Sequence, residues 1–110
     1  MKLVSIEFPA FTRRLLEVAN DEALRGLQNE LMGRPDKGAV MQGTGGFRKI
    51  RLALPGQGKR GGARVIYLRV PEAQAVVFVT LYTKVEKADL TPAERGVLRS
   101  IAAQIKRELL

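Results

Sequence analysis

The chain has 110 residues, 45% of them hydrophobic, and its 19 basic and 11 acidic residues give a formal net charge of +8. This length predicts a single compact domain, 1–110. No apolar run approaches the roughly 20 residues that a membrane-spanning helix requires, and the N-terminal segment lacks the apolar stretch of a secretory signal, so we expect a cytoplasmic protein without a membrane partner. The absence of histidine and cysteine excludes disulfides, the commonest metal ligands and the commonest general base, and we predict neither a metal nor a cofactor.

The N-terminal third of the chain predicts a strand and a helical hairpin. Leu3–Ile6 is typical of a short strand. Pro9 suits the first turn of a helix, where its missing N–H costs nothing. Asn20 or Asp21 can cap a second helix, which Gly33 ends. The apolar residues at helical spacing are Phe11, Leu15 and Val18 in the first helix and Leu24, Leu27 and Leu31 in the second.

The remainder predicts three strands and a closing helix. The segments 47–54, 63–70 and 75–82 are alternating or rich in β-branched residues, and the short connections between them favour an antiparallel meander. Thr91 and Glu94 have the spacing of a capping box at the start of an amphipathic helix. The order strand–helix–helix–three antiparallel strands–helix predicts an α+β fold. We expect the helices to pack on one face of the sheet and to leave the other face open.

Positive charge is concentrated in the middle of the chain. No acidic residue lies between Lys37 and Pro71, whereas the rest of the chain contains equal numbers of basic and acidic residues. A positive field confined to one stretch favours a nucleic-acid-binding surface over the alternative of a basic loop that only aids solubility. The eight basic residues of this stretch are Lys37, Arg48, Lys49, Arg51, Lys59, Arg60, Arg64 and Arg69.

Strand alternation gives the expected orientation of these charges. Lys49 and Arg51 alternate with apolar neighbours, which predicts that they point to the open face. Arg64 instead shares its parity with Ile66 and Leu68. Two alternatives remain open: Arg64 lies at a frayed strand end, or a β-bulge turns it outward.

A cluster of polar residues on these strands could act on RNA. Metal-free cleavage by the 2′-hydroxyl needs a proton acceptor, positive charge near the phosphorus and a proton donor. Without histidine, a lysine must be the base, and crowding a lysine with other cations lowers its pKa. Phosphate binding without chemistry is the alternative that the residues alone favour. The cluster is Lys49, Arg51, Arg64, Tyr82 and Lys84; Glu86 and Asp89 are interpreted as solubility or helix-approach charges.

The segments FRKIRLAL, GGARVIYL and VVFVTLYTK, followed by VEKADLTPAE, resemble the RelE/HigB toxin superfamily, in particular its HigB-like branch. The resemblance implies a RelE-like fold and a toxin of a type II toxin–antitoxin system, an endoribonuclease that cleaves mRNA on the ribosome and inhibits translation. It implies as partners a cognate antitoxin, the ribosome and mRNA. The catalytic positions that it implies are Lys49, Arg51, Arg64 and Lys84, and we expect further RNA contacts from Arg48, Lys59, Arg60, Tyr82 and Lys87.

Two other functions compete with this interpretation. A noncatalytic RNA-binding module could use the same basic sheet face, although the chain lacks the closely spaced aromatic residues of RNA-recognition sheets. A DNA-binding regulator is the weaker alternative, because the strongest charge lies on strands and loops rather than on a helix of a helix-turn-helix pattern.

Overall fold

The computed structural model describes residues 3–56 and 62–110, which form three helices and a five-stranded sheet. Lys59 and Arg60, two predicted RNA contacts, lie outside the described residues. None of the described helices is both long and apolar enough to cross a membrane. In chain order the elements are β1 (Val4–Glu7), α1 (Pro9–Val18), α2 (Asp21–Gly33), β2 (Ala39–Val40), β3 (Phe47–Leu52), β4 (Ala63–Val70), a 3-10 turn (Pro71–Ala73), β5 (Ala75–Thr83) and α3 (Pro92–Leu109).

The helix ends lie where local sequence signals predict them. Pro9 occupies the first turn of α1, and the Asn20 side chain caps α2 by accepting a hydrogen bond from the Ala23 amide at 2.8 Å. At the start of α3 the Thr91 hydroxyl accepts from the Glu94 amide, while the Glu94 carboxylate accepts from the Thr91 amide. The predicted capping box is therefore confirmed, and of the two residues predicted as possible caps of α2, Asn20 is the cap.

The strand order is β1-β5-β4-β3-β2. β3, β4 and β5 form the predicted antiparallel meander, while β1 pairs with β5 in parallel. The two-residue β2, which was not predicted, extends the edge beside β3. The α+β class is confirmed.

Helices cover both faces of the sheet, so the expectation that all of them pack on one face is wrong. Residues of α1 and α2 form one core with Val65, Tyr67 and Phe78, and the rings of Phe11 and Phe78 stack with their centroids 5.3 Å apart. Residues of α3 form a second core on the opposite face, with members that include Phe47, Leu68, Val77, Leu98, Ala102 and Ile105. The face that was expected to be open is thus partly covered by α3.

Tyr67 anchors, by hydrogen bonds, the segment that connects α2 to the sheet edge. Its buried hydroxyl donates to the Pro35 carbonyl and accepts from the Gly38 amide, both at 2.9 Å. A Cβ atom on Gly38 would lie 2.7 Å from the Tyr67 ring and 3.0 Å from the Lys49 carbonyl. Glycine is therefore required where this loop meets β3, and the contact fixes β2 at the sheet edge.

Candidate functional site

The face of the sheet that carries α3 changes in character from one end to the other. Cross-strand neighbours point to the same face, so the register of β3, β4 and β5 defines three successive rows on this face. The first row is apolar and lies under α3, the second is mixed, and the third is polar. The rows are Phe47–Leu68–Val77, Lys49–Ile66–Thr80 and Arg51–Arg64–Tyr82.

This register resolves the orientation of Arg64. Ile66 and Leu68 face the α3 core, so their shared parity with Arg64 places all three on the same face as Arg51. A frayed strand end is not needed to explain this orientation. The face of β4 toward α3 is apolar where the helix covers it and carries Arg64 where the cover ends. Neither of the two sequence-based alternatives is required.

A β-bulge does exist, but it acts on Tyr82. Ile66 pairs with Thr80 while Tyr67 pairs with Phe78, which leaves Val79 as an extra residue in β5. Phe78 faces the α1 and α2 core, whereas Val79 and Tyr82 face the α3 side. Regular alternation would have put Tyr82 on the face of Phe78, so the bulge directs Tyr82 to the cationic row.

The polar row forms one wall of a cleft of about 270 Å³. All four residues predicted to be catalytic line this cleft, although they come from two strands, β3 and β4, and from the turn after β5. Like charges concentrated in one concavity raise the local attraction for an anion. The lining residues are Ala39, Lys49, Arg51, Arg64, Tyr82, Lys84 and Ala88.

The two arginines of the cleft differ in exposure. Arg51 is exposed, whereas Arg64 is only 6% exposed and donates a hydrogen bond from its guanidinium to the Ala63 carbonyl at 3.2 Å. A guanidinium stays charged at all accessible pH values. The pair therefore gives the cleft a fixed charge at its base and a second one at its rim.

Asp89 supplies a counter-charge that the sequence did not reveal. Its carboxylate lies 3.7 Å from the Lys49 Nζ and 3.3 Å from an Arg95 guanidinium nitrogen. A hydrogen bond from the Leu90 amide, followed by Lys49 and Arg95, lowers the pKa of Asp89. Asp89 is thus an anion held beside the cleft rather than a simple solubility charge, and no strand or helix periodicity could have predicted this, since it lies in a turn.

Tyr82 is buried at the cleft. It is 4% exposed, and its hydroxyl makes no hydrogen bond of regular geometry within the described part of the chain, although the Asp89 carboxylate lies near it. Burial, and after it the Asp89 carboxylate, raise the pKa of the Tyr82 phenol, while Arg64 and Arg95 act in the opposite direction. The hydroxyl therefore stays protonated at neutral pH and is available as a donor.

Glu86 holds the turn that carries Lys84. Its carboxylate accepts from the Thr83 amide and hydroxyl, both at 3.0 Å, and from Arg14 of α1 at 2.5 Å. The Lys84 amide donates to the Gly62 carbonyl at 3.2 Å. Glu86 therefore has a structural role, which corrects its interpretation as a solubility charge.

Two predicted RNA contacts lie away from the cleft. Arg48 donates hydrogen bonds to the carbonyls of Asp36 and Gly38, and its strand position puts it on the opposite face from Lys49. Lys87 forms an ion pair with Glu94 at the start of α3. The structure therefore does not bring Arg48 and Lys87 together with the four cleft cations.

The chain resembles known toxins in both sequence and fold. Residues 14–108 match the family model described as the RelE toxin of the RelE/RelB toxin–antitoxin system. The crystal structure of the isolated E. coli RelE toxin superimposes with a TM-score of 0.58 at 15% sequence identity, covering 92% of this chain and 99% of that one; at this identity the likeness concerns the fold. Because the family model spans most of the chain, the protein belongs to the RelE family of toxins from toxin–antitoxin systems.

Proposed function

We propose that this protein is an endoribonuclease that cleaves mRNA on the ribosome by attack of a 2′-hydroxyl on the adjacent phosphate, without a metal. The observation that carries the proposal is the cleft in which Lys49, Arg51, Arg64 and Lys84 converge. Such a cluster can neutralise a phosphate whose charge increases in the transition state. Assignment to the HigB-like branch of the superfamily stays a prediction.

The chemistry of the cleft residues suits them to two different roles. Arg51 and Arg64 suit phosphate binding, because a guanidinium offers paired donors and does not release a proton. Lys49 and Lys84 can accept a proton when neutral, and they are the candidates for the base that activates the 2′-hydroxyl. Among residues 3–56 and 62–110 no three metal-ligating side chains cluster, and the proposed chemistry relies on the cations of the chain instead.

The proposed partners follow from the charge and from the family. An antitoxin would restrain the toxin by covering the cleft, and an acidic or helical segment suits a basic surface of this kind. The ribosome would deliver the mRNA strand, and a cytoplasmic location follows from that partner. Co-expression with the product of the adjacent gene should yield a complex and relieve growth arrest, and failure of both would argue against a cognate antitoxin there.

The decisive experiment maps cleavage in a translation extract. Purified wild-type protein should produce new 5′ ends in a translated mRNA, detected by primer extension, and should leave the same RNA intact without ribosomes. The variant Lys49→Ala/Arg51→Ala should produce no cuts, whereas Arg99→Ala, at an exposed position of α3, should behave like the wild type. Intact mRNA with the wild-type protein would refute the proposal, and binding without cleavage would indicate a noncatalytic RNA-binding module.

A further inference from the structure

The Tyr82 hydroxyl is a buried donor without a regular hydrogen bond, and Tyr82 lines the cationic cleft. The residue is almost fully buried, and the oxygen makes no hydrogen bond of regular geometry to any described residue. The neighbouring Asp89 carboxylate acts on it mainly through its charge. A buried polar group that is left unsatisfied costs about 1–3 kcal/mol. The fold accepts this cost at a position that lines the same cleft as Lys49, Arg51, Arg64 and Lys84.

The backbone places Tyr82 on the face of the sheet that carries the cleft. The extra residue Val79 shifts the register of β5, so that Tyr82 pairs with Arg64 and lies on the α3 side instead of the α1 and α2 side. Bulges are frequent next to active sites because they redirect a side chain. The other tyrosine, Tyr67, shows the contrasting arrangement, since its hydroxyl has both a donor and an acceptor partner.

We propose that Tyr82 is a catalytic residue, the acid that protonates the leaving 5′-oxygen of the RNA. This inference rests on the proposed ribonuclease function. In the step, the deprotonated 2′-oxygen forms a bond to phosphorus and the bond from phosphorus to the 5′-oxygen breaks. The departing 5′-oxygen keeps the electron pair of that bond and takes the proton of the Tyr82 hydroxyl. The products are a 2′,3′-cyclic phosphate and a 5′-hydroxyl, and the tyrosinate regains a proton from water.

The acid role fits the surroundings of Tyr82 better than the role of base. Burial keeps the phenol protonated, which disqualifies it as a proton acceptor at neutral pH. A 5′-alkoxide is more basic than a phenolate, so transfer of the phenolic proton to it is favourable. A guanidinium does not release its proton, so the arginines of the cleft cannot replace Tyr82 as the acid. The positive charge of Arg64 offsets part of the opposing effect of the Asp89 carboxylate on the tyrosinate.

The test compares Tyr82→Phe with the wild type on ribosome-bound mRNA. Loss of a general acid should slow cleavage by about 100-fold or more, while ribosome affinity stays unchanged. The thermal midpoint should stay equal or rise, since the variant removes an unpaired buried donor. The matched control is Tyr67→Phe, which removes the other tyrosine hydroxyl and should leave the cleavage rate of the folded protein unchanged.

An mRNA with a sulfur atom in place of the leaving 5′-oxygen separates acid catalysis from positioning. A thiolate leaves without protonation, so Tyr82→Phe should cleave this mRNA at nearly the wild-type rate. Equal slowing on both RNAs would overturn the acid role and leave Tyr82 as a positioning residue, and wild-type rates on both would overturn the inference entirely. Absence of cleavage by the wild-type protein would instead reject the proposed function, and this inference with it.

Discussion

The two faces of the sheet consist of the same strands but are covered by helices to different extents. On the α1 and α2 side, a continuous apolar core reaches from Tyr67 and Phe78 to Leu52, Ala63 and Leu81. On the α3 side, the helix covers the row that begins with Phe47, whereas the row of Arg51 lines the cleft. The closed face can thus supply stability while the half-covered face holds charges together, and this separation predicts that substitutions on the two faces have different consequences.

Leu31→Ala on the closed face should have the largest effect on stability. Leu31 is fully buried in the core of α1 and α2, and a leucine-to-alanine change in a core costs about 2–5 kcal/mol. Denaturant unfolding should show this loss, while the cleavage rate of the remaining folded protein stays near the wild type. A loss below about 1 kcal/mol would show that this face is not the main source of stability.

The strand sequences contain a signal that the sheet is buried on both faces. The segment from Ala75 to Val79 is apolar at every position, and such runs are typical of strands covered on both sides. Alternation in β3, where Lys49 and Arg51 interrupt the apolar residues, instead suggested one open face. The capped helices could be predicted, because the signals at Asn20 and Thr91 are local.

The candidate site was predictable only in part. Lys49, Arg51 and Arg64 could be found because their charges stand out on strands, and the register then brings Lys84 beside them. Tyr82 could not be oriented from sequence, since one extra residue in β5 reverses its face. Asp89 gave no signal, because its contacts with β3 and α3 join segments that are distant in the chain.

Arg51→Ala on the half-covered face should change activity and not stability. Removing the guanidinium proposed to stabilise the phosphate should slow cleavage by about 10²–10³-fold. The thermal midpoint should stay unchanged, because Arg51 is exposed. Its contact with a phosphate would also reduce the salt slope of ribosome binding by about 1. The control Arg99→Ala should alter neither the cleavage rate nor the salt slope of ribosome binding. A toxic Arg51→Ala variant at normal expression would disprove the site assignment.

The two tyrosines allow a direct comparison of the faces with the same chemical change. Tyr67→Phe should lower the free energy of unfolding by about 1–3 kcal/mol, because the Gly38 amide and the Pro35 carbonyl lose their buried partner. Tyr82→Phe removes a hydroxyl that makes no regular hydrogen bond to a described residue and should cost no stability. Urea unfolding of both variants measures the difference, and equal losses would contradict the contrast between the faces.

The smallest expected effect concerns pH and the turn after β5. Hydrogen bonds from Thr83, together with Arg14, lower the pKa of Glu86 in the folded protein, so the folded state favours the ionised form. The resulting stability is fully present above the unfolded pKa of about 4.3 and is lost as the pH falls through the lower folded pKa. Because the ion pair is exposed, the contribution should not exceed about 1 kcal/mol.

Glu86→Gln tests this contribution against Glu72→Gln, which alters an exposed residue of the 3-10 turn. Thermal unfolding at pH 7 should show Glu86→Gln below the wild type and Glu72→Gln close to it. At pH 3 the gap between Glu86→Gln and the wild type should narrow, since protonation weakens the same contacts in the wild type. A gap that stays constant between the two pH values would mean that the charge of Glu86 does not stabilise the turn.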